Sequence, residues 1–196
     1  MAVAILLVGA LASGCGQGTF DPSGPCTADG RAAGAFPELE ALVPPEFRGR
    51  APDRVDSGRN CTTTALATLA LHNVSELRFA GGIWDLGSSS GVTLAVFDAP
   101  RDEAGLEAAW MAEFFEAGAR TARRVESVDA RSIVLPDGEA ASQIDALNGE
   151  SYQTVVVWPD GDRVRVALVA SFIREVSTKE AHEAVVTEAI AASFDR

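Results

Sequence analysis

The chain has 196 residues, of which 47% are hydrophobic and 22% are charged. This composition is too apolar for a disordered protein, and the length favours a single domain with a sizeable core. The formal net charge is -12 and there is no run of Lys or Arg, so the electrostatic footprint of a nucleic-acid-binding protein is missing. The composition therefore disfavours DNA or RNA as a partner.

The N-terminus has the pattern of an export signal. Residues 1–14 carry no charged side chain, and their apolar run is too short to span a bilayer, which is typical of a signal-peptide core. Residues 11–15 then read LASGC, and this sequence resembles the lipobox of bacterial lipoproteins. The resemblance implies cleavage before Cys15 and a diacylglyceryl group on its thiol. Buried acyl chains would then hold the protein on the extracytoplasmic side of the cell membrane.

Two positions depart from the lipobox pattern. Ala12 stands where Leu is usual, and no Lys or Arg precedes the apolar core. The alternative interpretation is an ordinary secretory signal cut near Ser13, which would leave Cys15 as a spare thiol. Both interpretations predict an exported domain.

Two further cysteines, Cys26 and Cys61, remain if Cys15 is lipidated. An exported protein with an even remainder is expected to pair them, and two free buried thiols are the alternative. Closing a loop of about 36 residues would stabilise the fold by about 4 kcal/mol in the chain-entropy model. The chain has no CxxC spacing and only two histidines, His72 and His182, so we expect no metal site and no cofactor.

The composition along the chain separates a tether from a domain. Residues 15–35 are rich in Gly, Pro, Ser and Ala and lack periodic apolar positions, which predicts a flexible tether. Residues 36–196 then form a single domain. Its first elements are one or two helical turns within 37–43 and a short apolar helix over 62–71. Two strands, 78–86 and 92–98, follow as a hairpin.

The second half of the domain alternates helix and sheet signals. An amphipathic helix is predicted over residues 102–118, with Trp110 on its apolar stripe as a core residue. Turn signatures with Pro, Asp, Asn and Gly separate up to four later strands, near 124–135, 140–147, 151–158 and 163–172. In the last of these, Arg163 and Arg165 alternate with valines, which predicts one wet face. A capping box at residues 177–180 begins the final helix.

These elements define an α+β fold. We expect an antiparallel sheet of about five to six strands, packed by a middle and a C-terminal helix, with a short N-terminal helical region. The order of hairpin, helix, meander and helix over roughly residues 76–194 resembles the Mog1/PsbP-like fold of some exported lipoproteins. Members of that group act mostly as binding or assembly factors, so the resemblance implies a binding role.

Two motifs bear on catalysis. Residues 87–91 read GSSSG and satisfy G-x-S-x-G, which would make Ser89 the nucleophile of a hydrolase. A strand is predicted after this motif, whereas a nucleophile elbow needs a helix there, so a hairpin loop is favoured. His182 begins a sequence like the zinc motif HExxH, but Val186 stands in place of the second ligand.

Trp84 and Trp158, near strand ends, are the remaining candidates for ligand contact. Each ring could cap the core or line an open groove between the sheet and a helix. The preferred function is that of a non-catalytic, membrane-anchored extracytoplasmic lipoprotein that binds a partner protein or an apolar ligand. The alternatives are an unrecognised envelope hydrolase, using Ser89 or a pair of carboxylates, and a structural spacer at the membrane surface.

Overall fold

The structure is a computed structural model that describes residues 20–100, 105–174 and 178–194. The predicted signal peptide, residues 1–14, and the predicted lipidation residue Cys15 lie outside the described residues. The described residues form one antiparallel sheet of eight strands with helices on both faces.

The elements follow one another in this order: β1 (Gly30–Ala32), α1 (Pro37–Glu40), β2 (Arg54–Asn60), α2 (Thr63–Leu66), a 3-10 helix (Ala67–His72), β3 (Leu77–Gly87), β4 (Ser90–Asp98), α3 (Ala108–Thr121), β5 (Val125–Val134), β6 (Ala140–Asn148), β7 (Ser151–Asp160), β8 (Arg163–Phe172) and α4 (Lys179–Ala192). The strands lie in the order β1-β2-β3-β4-β8-β7-β6-β5. Among the described helices, none is long and apolar enough to span a bilayer.

The predicted α+β class is confirmed, but the expected count of five to six strands is wrong. The six strands predicted from the hairpin onward are all present as β3 to β8. The two additional strands are β1, within the predicted tether, and β2, within a stretch for which no strand was predicted. β2 has the sequence RVDSGRN, whose polar residues give no apolar alternation, and β1 has only three residues.

The predicted tether is shorter than expected, because the chain joins the domain from Phe20 onward. Phe20 packs against the core, and Nη2 of Arg59 donates to the carbonyl oxygens of Asp21 and Pro25, at 3.1 and 3.2 Å. β1 then pairs with β2 over its whole length. The predicted disulfide between Cys26 and Cys61 is present and joins this segment to the end of β2.

One face of the sheet is covered by α4 and by the segment around α1. The residues of α4 that were expected to face the sheet do so, and they are Val185, Val186, Ala189 and Ile190. Thr178 begins the helix, since its hydroxyl accepts a hydrogen bond from the backbone N–H of Ala181 at 3.2 Å. This face also holds both candidate ligand-binding tryptophans.

The other face is covered by α3, α2 and the 3-10 helix. Met111 and Phe115 of α3 are buried there, with Leu66 and Leu69 beside them. Trp110 is half-buried rather than in the core, and its ring stacks on His72 with 4.8 Å between the ring centroids. Trp110 therefore packs against the core, as expected, but at its border beside the 3-10 helix and not fully inside it.

Candidate functional site

A buried chain of hydrogen bonds lies between α4 and the sheet. The hydroxyl of Ser171 on β8 lies 2.8 Å from Nδ1 of His182 on α4. Nε2 of His182 lies 2.8 Å from the hydroxyl of Thr154 on β7, which donates to Asp145 on β6 at 2.6 Å. Arg131 on the edge strand β5 also donates to Asp145, at 2.5 Å. The chain thus runs from the core to the edge of the sheet, and we call it the His182 chain.

The register of the sheet brings these side chains to one face. Asp145 and Thr154 are direct partners across β6 and β7. Ser171 is the partner of Tyr152, which lies two residues before Thr154, and side chains two residues apart in a strand share a face. His182 lies on the apolar stripe of α4 that packs against this face.

The hydrogen bonds fix the positions of the protons. The hydroxyl of Thr154 gives its single proton to Asp145, so its oxygen can only accept from His182. Nε2 of His182 therefore carries a proton. Because burial lowers the pKa of His182 and keeps the imidazole neutral at pH 7, Nδ1 is unprotonated and accepts from the hydroxyl of Ser171. A serine that donates to a neutral imidazole has the arrangement by which a base activates a nucleophile.

Burial separates this serine and histidine from solvent. Ser171 is 1% exposed and His182 is 2% exposed. The ring of Tyr152 lies against the imidazole, with 5.7 Å between the ring centroids. A catalytic group must come within hydrogen-bond reach of its substrate, and neither side chain can do so in this conformation. The geometry fits a polar anchor that holds α4 on the sheet.

Burial and charge set the ionisation of the two titratable groups at the centre of the chain. Burial lowers the pKa of His182 below its ordinary value of 6.5, and the charge of Asp145 partly opposes this. Burial alone would raise the pKa of Asp145. Hydrogen bonds from Thr154 and Gln143 and the charge of Arg131 outweigh burial, so the pKa of Asp145 lies below its ordinary value. At neutral pH, a carboxylate and a neutral imidazole therefore occupy the site.

The sequence pattern alone does not reveal the His182 chain, although it contains weak signals of it. Thr154 and Ser171 are polar residues at inward positions of strands that are otherwise rich in valine. His182 precedes Val185 by three residues, so both lie on one side of α4. A polar residue at a buried position needs a partner, and several such positions on neighbouring elements indicate a shared network.

The two candidate tryptophans are packed in the core and do not line an open groove. Trp84 is 0% exposed, its indole N–H donates to the carbonyl of Arg50 at 2.8 Å, and its ring meets the edge of Phe47. Trp158 is 2% exposed and stacks on Phe194 with 6.1 Å between the ring centroids. Because neither ring offers a face to a ligand, their expected role as groove lining does not fit the structure.

Ser89 lies in the two-residue turn between β3 and β4, as the hairpin interpretation predicted. Ser88 and Ser89 have φ angles of 45° and 81°. Positive φ at both central residues is typical of a type I′ hairpin turn, which matches the twist of the flanking strands. The serine that contacts His182 is Ser171.

A shallow, open depression of about 480 Å³ lies beside the segment that follows α1. Its lining is mostly apolar and consists of Glu40, Ala41, Leu42, Val43, Pro44, Pro45, Pro52, Val55 and Ser193. Ser193 places the C-terminal end of α4 at its border. We call this surface the apolar depression.

Comparison with known structures gives a distant likeness. No family model matches the chain, and no curated protein matches it. The chain is similar to the solution structure of cyanobacterial PsbP (CyanoP) from Synechocystis sp. PCC 6803, with 13% sequence identity and a TM-score of 0.38. The alignment covers 88% of this chain and 96% of that chain. At this identity and TM-score, neither a family nor a role is transferred to this chain.

Proposed function

We propose that this protein is a membrane-anchored, extracytoplasmic lipoprotein whose domain binds a partner protein and does not catalyse a reaction. The disulfide between Cys26 and Cys61 is the main support for an extracytoplasmic location, because disulfides persist in oxidising compartments outside the cytoplasm. The lipobox-like sequence that ends at Cys15 supports a lipid anchor at that residue. An anchored domain of this kind is held close to the membrane by acyl chains.

The burial of the His182 chain supports binding over hydrolysis. Ser171 and His182 have the mutual geometry of a nucleophile and its base, but α4 and the sheet enclose both. Ser89, the serine that a hydrolase would use by motif, lies in a hairpin turn instead of a strand-to-helix elbow. The polar residues that could perform acyl transfer are therefore arranged to hold the fold together.

The apolar depression is the surface that we assign to the partner. Pro44, Pro45 and Pro52 stiffen its lining, so little conformational freedom is lost when a partner binds. Its volume of about 480 Å³ is enough for one or two apolar side chains. Its open shape suits a side chain that protrudes from another protein, and a small apolar ligand is the alternative occupant.

A photoreactive residue at the rim of the apolar depression tests this binding in intact cells. Replacing Pro45, which is exposed, by p-benzoylphenylalanine should give a discrete protein adduct of higher mass after illumination. The matched control is the same replacement at Leu71, which is 77% exposed on the opposite face, and it should give no such adduct. Adduct formation that does not differ between the two sites would refute the assignment. A lipid adduct at Pro45 alone would replace the partner protein by an apolar ligand.

The anchor has its own test. Cys15→Ser removes the thiol that would accept the lipid, so this variant should move from the membrane fraction to the soluble extracytoplasmic fraction. Ser13→Ala keeps a small residue before the cysteine and should leave the protein in the membrane fraction. Mass spectrometry of the wild-type N-terminal peptide should show an acylated cysteine. An unmodified N-terminus would mean that a secretory signal, rather than a lipobox, directs export.

A further inference from the structure

The edge strand β5 is long and open. It pairs with β6 on one side, and none of the described strands pairs with its other side. Seven of its ten residues are exposed, whereas β1, at the opposite edge of the sheet, has only three residues. The outer backbone groups of such a strand can form hydrogen bonds with another chain.

We propose that β5 pairs with β5 of a second copy of this chain, antiparallel, about a two-fold axis at Ala130. This pairing would join the two sheets edge to edge. The axis must run perpendicular to the sheet, so that each residue faces one from the same side of the strand. Side chains alternate between the two faces of a strand, so each even-numbered residue must pair with an even-numbered one and each odd-numbered residue with an odd-numbered one. The two-fold axis must therefore pass through a residue and not between two residues, which leaves few possible registers.

The charges of β5 select one of these registers. With Ala130 on the axis, Asp129 of each copy faces Arg131 of the other, which gives two pairs of opposite charge in addition to the contacts of Arg131 with Asp129 and Asp145 of its own chain. An axis at Asp129 or at Arg131 would instead place two like charges directly opposite each other, and such pairs are destabilising.

The regular part of the strand has nearly the same centre. A bulge interrupts pairing with β6 between Val125 and Ser127, and pairing is regular from Ser127 onward. Regular pairing extends from Ser127 to Val134, and its midpoint lies between Ala130 and Arg131. An axis at Ala130 pairs residues 127–133 of the two copies and leaves the bulge at the end of the pairing. Axes at Val128 or Ser132 would shorten the overlap of the two strands.

The same register covers an exposed apolar side chain. Val134 is 76% exposed. In the proposed pair it lies level with the bulged residue Glu126 of the second copy and diagonal to Val128 of the second copy. Diagonal neighbours in a sheet are within contact distance for apolar side chains. Pairing therefore buries Val134 as well as satisfying the edge of the sheet.

Cysteine cross-linking tests the register directly. In the proposed pair, the Cβ atoms of residue 130 in the two copies lie about 4.5–5.5 Å apart, close to the range for a disulfide. The full chain with Ala130→Cys, purified as the cell produces it and oxidised with copper phenanthroline, should give a covalent dimer on a non-reducing gel. Ser132→Cys is the matched control, because its two copies lie roughly 13 Å apart along the strands and should not react. The wild type reports any reaction of Cys15.

Charge reversal tests the pairing of Asp129 with Arg131. In the Ala130→Cys background, Asp129→Arg places arginines opposite each other and should lower the dimer yield severalfold. Adding Arg131→Asp restores opposite charges in the reversed order and should restore the yield. Because Arg131 also donates to Asp145 in its own chain, Arg131→Asp alone is the control for the loss of that bond. The melting temperature of each variant shows that a lost dimer is not a lost fold. Three results would each overturn the proposal: no dimer from Ala130→Cys, equal reaction at residue 132, or no loss with Asp129→Arg.

Discussion

Replacing Cys26 and Cys61 together by Ser should lower the free energy of unfolding by about 4 kcal/mol, the value for opening a loop of about 36 residues. The bridge ties a segment with little structure of its own to the end of β2. Without it, the unfolded chain gains freedom and β1 keeps only its three pairs with β2. Chemical denaturation of the oxidised wild type and of the variant measures the difference.

The effect should spread beyond the bridge itself. The carboxylate of Asp29 accepts hydrogen bonds from the backbone N–H groups of Cys61 and Thr62, at 2.7 and 2.9 Å. These bonds depend on the two segments staying together, so hydrogen exchange in β1 should become faster in the double variant. Cys15→Ser is the control, because it removes a cysteine and keeps the bridge. A change below about 1 kcal/mol would show that the segment is held mainly by its packing and hydrogen bonds.

The sequence predicts β3 to β8 because each of these strands carries an apolar alternation or a valine-rich run between turn residues. It does not predict β2, whose inward positions are polar. Ser57 and Arg59 of β2 are buried, and both donate to backbone carbonyls of the N-terminal segment. Gly58 weakens a strand by propensity, yet any side chain there would overlap the carbonyl oxygen of Gly30 on β1. The close approach of β1 therefore explains why position 58 is a glycine.

The sequence also does not predict whether a strand lies in the interior of the sheet or at its edge. Arg165 alternates with valines and was expected on a wet face, but its side chain is buried. Its Nε donates to Asp160 at 2.6 Å and its Nη1 donates to the carbonyl of Leu42 at 3.2 Å. β8 lies between β4 and β7 in the interior of the sheet, so both of its faces are covered. The expectation of a solvent-exposed face on β8 was wrong, because the pairing of β8 with strands distant in the sequence places it where both faces are covered.

The candidate site was unpredictable for the same reason. Whether Trp84 lines a groove depends on what covers the end of β3, and the covering segment includes Phe47 and Arg50. That segment contains no long helix or strand and gave no periodic signal. The His182 chain draws its members from four strands and a helix, so only the register of the sheet brings them together.

The His182 chain should contribute strongly to stability. We expect His182→Ala to lower the free energy of unfolding at pH 7 by about 2 to 4 kcal/mol, measured by urea denaturation. The substitution leaves a cavity under α4, and it leaves the hydroxyls of Ser171 and Thr154 without their buried partner. His72→Ala is the matched control, since His72 is the other histidine of the chain and contacts Glu113 outside the core.

The pH dependence of stability distinguishes a buried neutral imidazole from a merely well-packed one. In the unfolded chain His182 takes up a proton near its ordinary pKa of 6.5, whereas burial lowers its pKa in the folded protein. Between these two values the unfolded state binds more protons, so stability is complete above about pH 6.5 and falls as the pH decreases through the window below it. The slope from one such group is at most about 1.4 kcal/mol per pH unit. The pKa of Asp145 lies below its ordinary value of 3.8, so protonation of Asp145 lowers the stability of the protein only at a lower pH than the window of His182.

The slopes of the free energy of unfolding against pH in three proteins test whether His182 is neutral when folded. Wild type and His72→Ala should both lose stability between about pH 6.5 and pH 5, and His182→Ala should lose much less over the same interval. Equal slopes in all three proteins would contradict the expectation, because they would mean that the folded protein accepts a proton at His182 as readily as the unfolded chain does. A charged imidazole would donate from both ring nitrogens, so Ser171 would then have to accept a hydrogen bond where it now donates one.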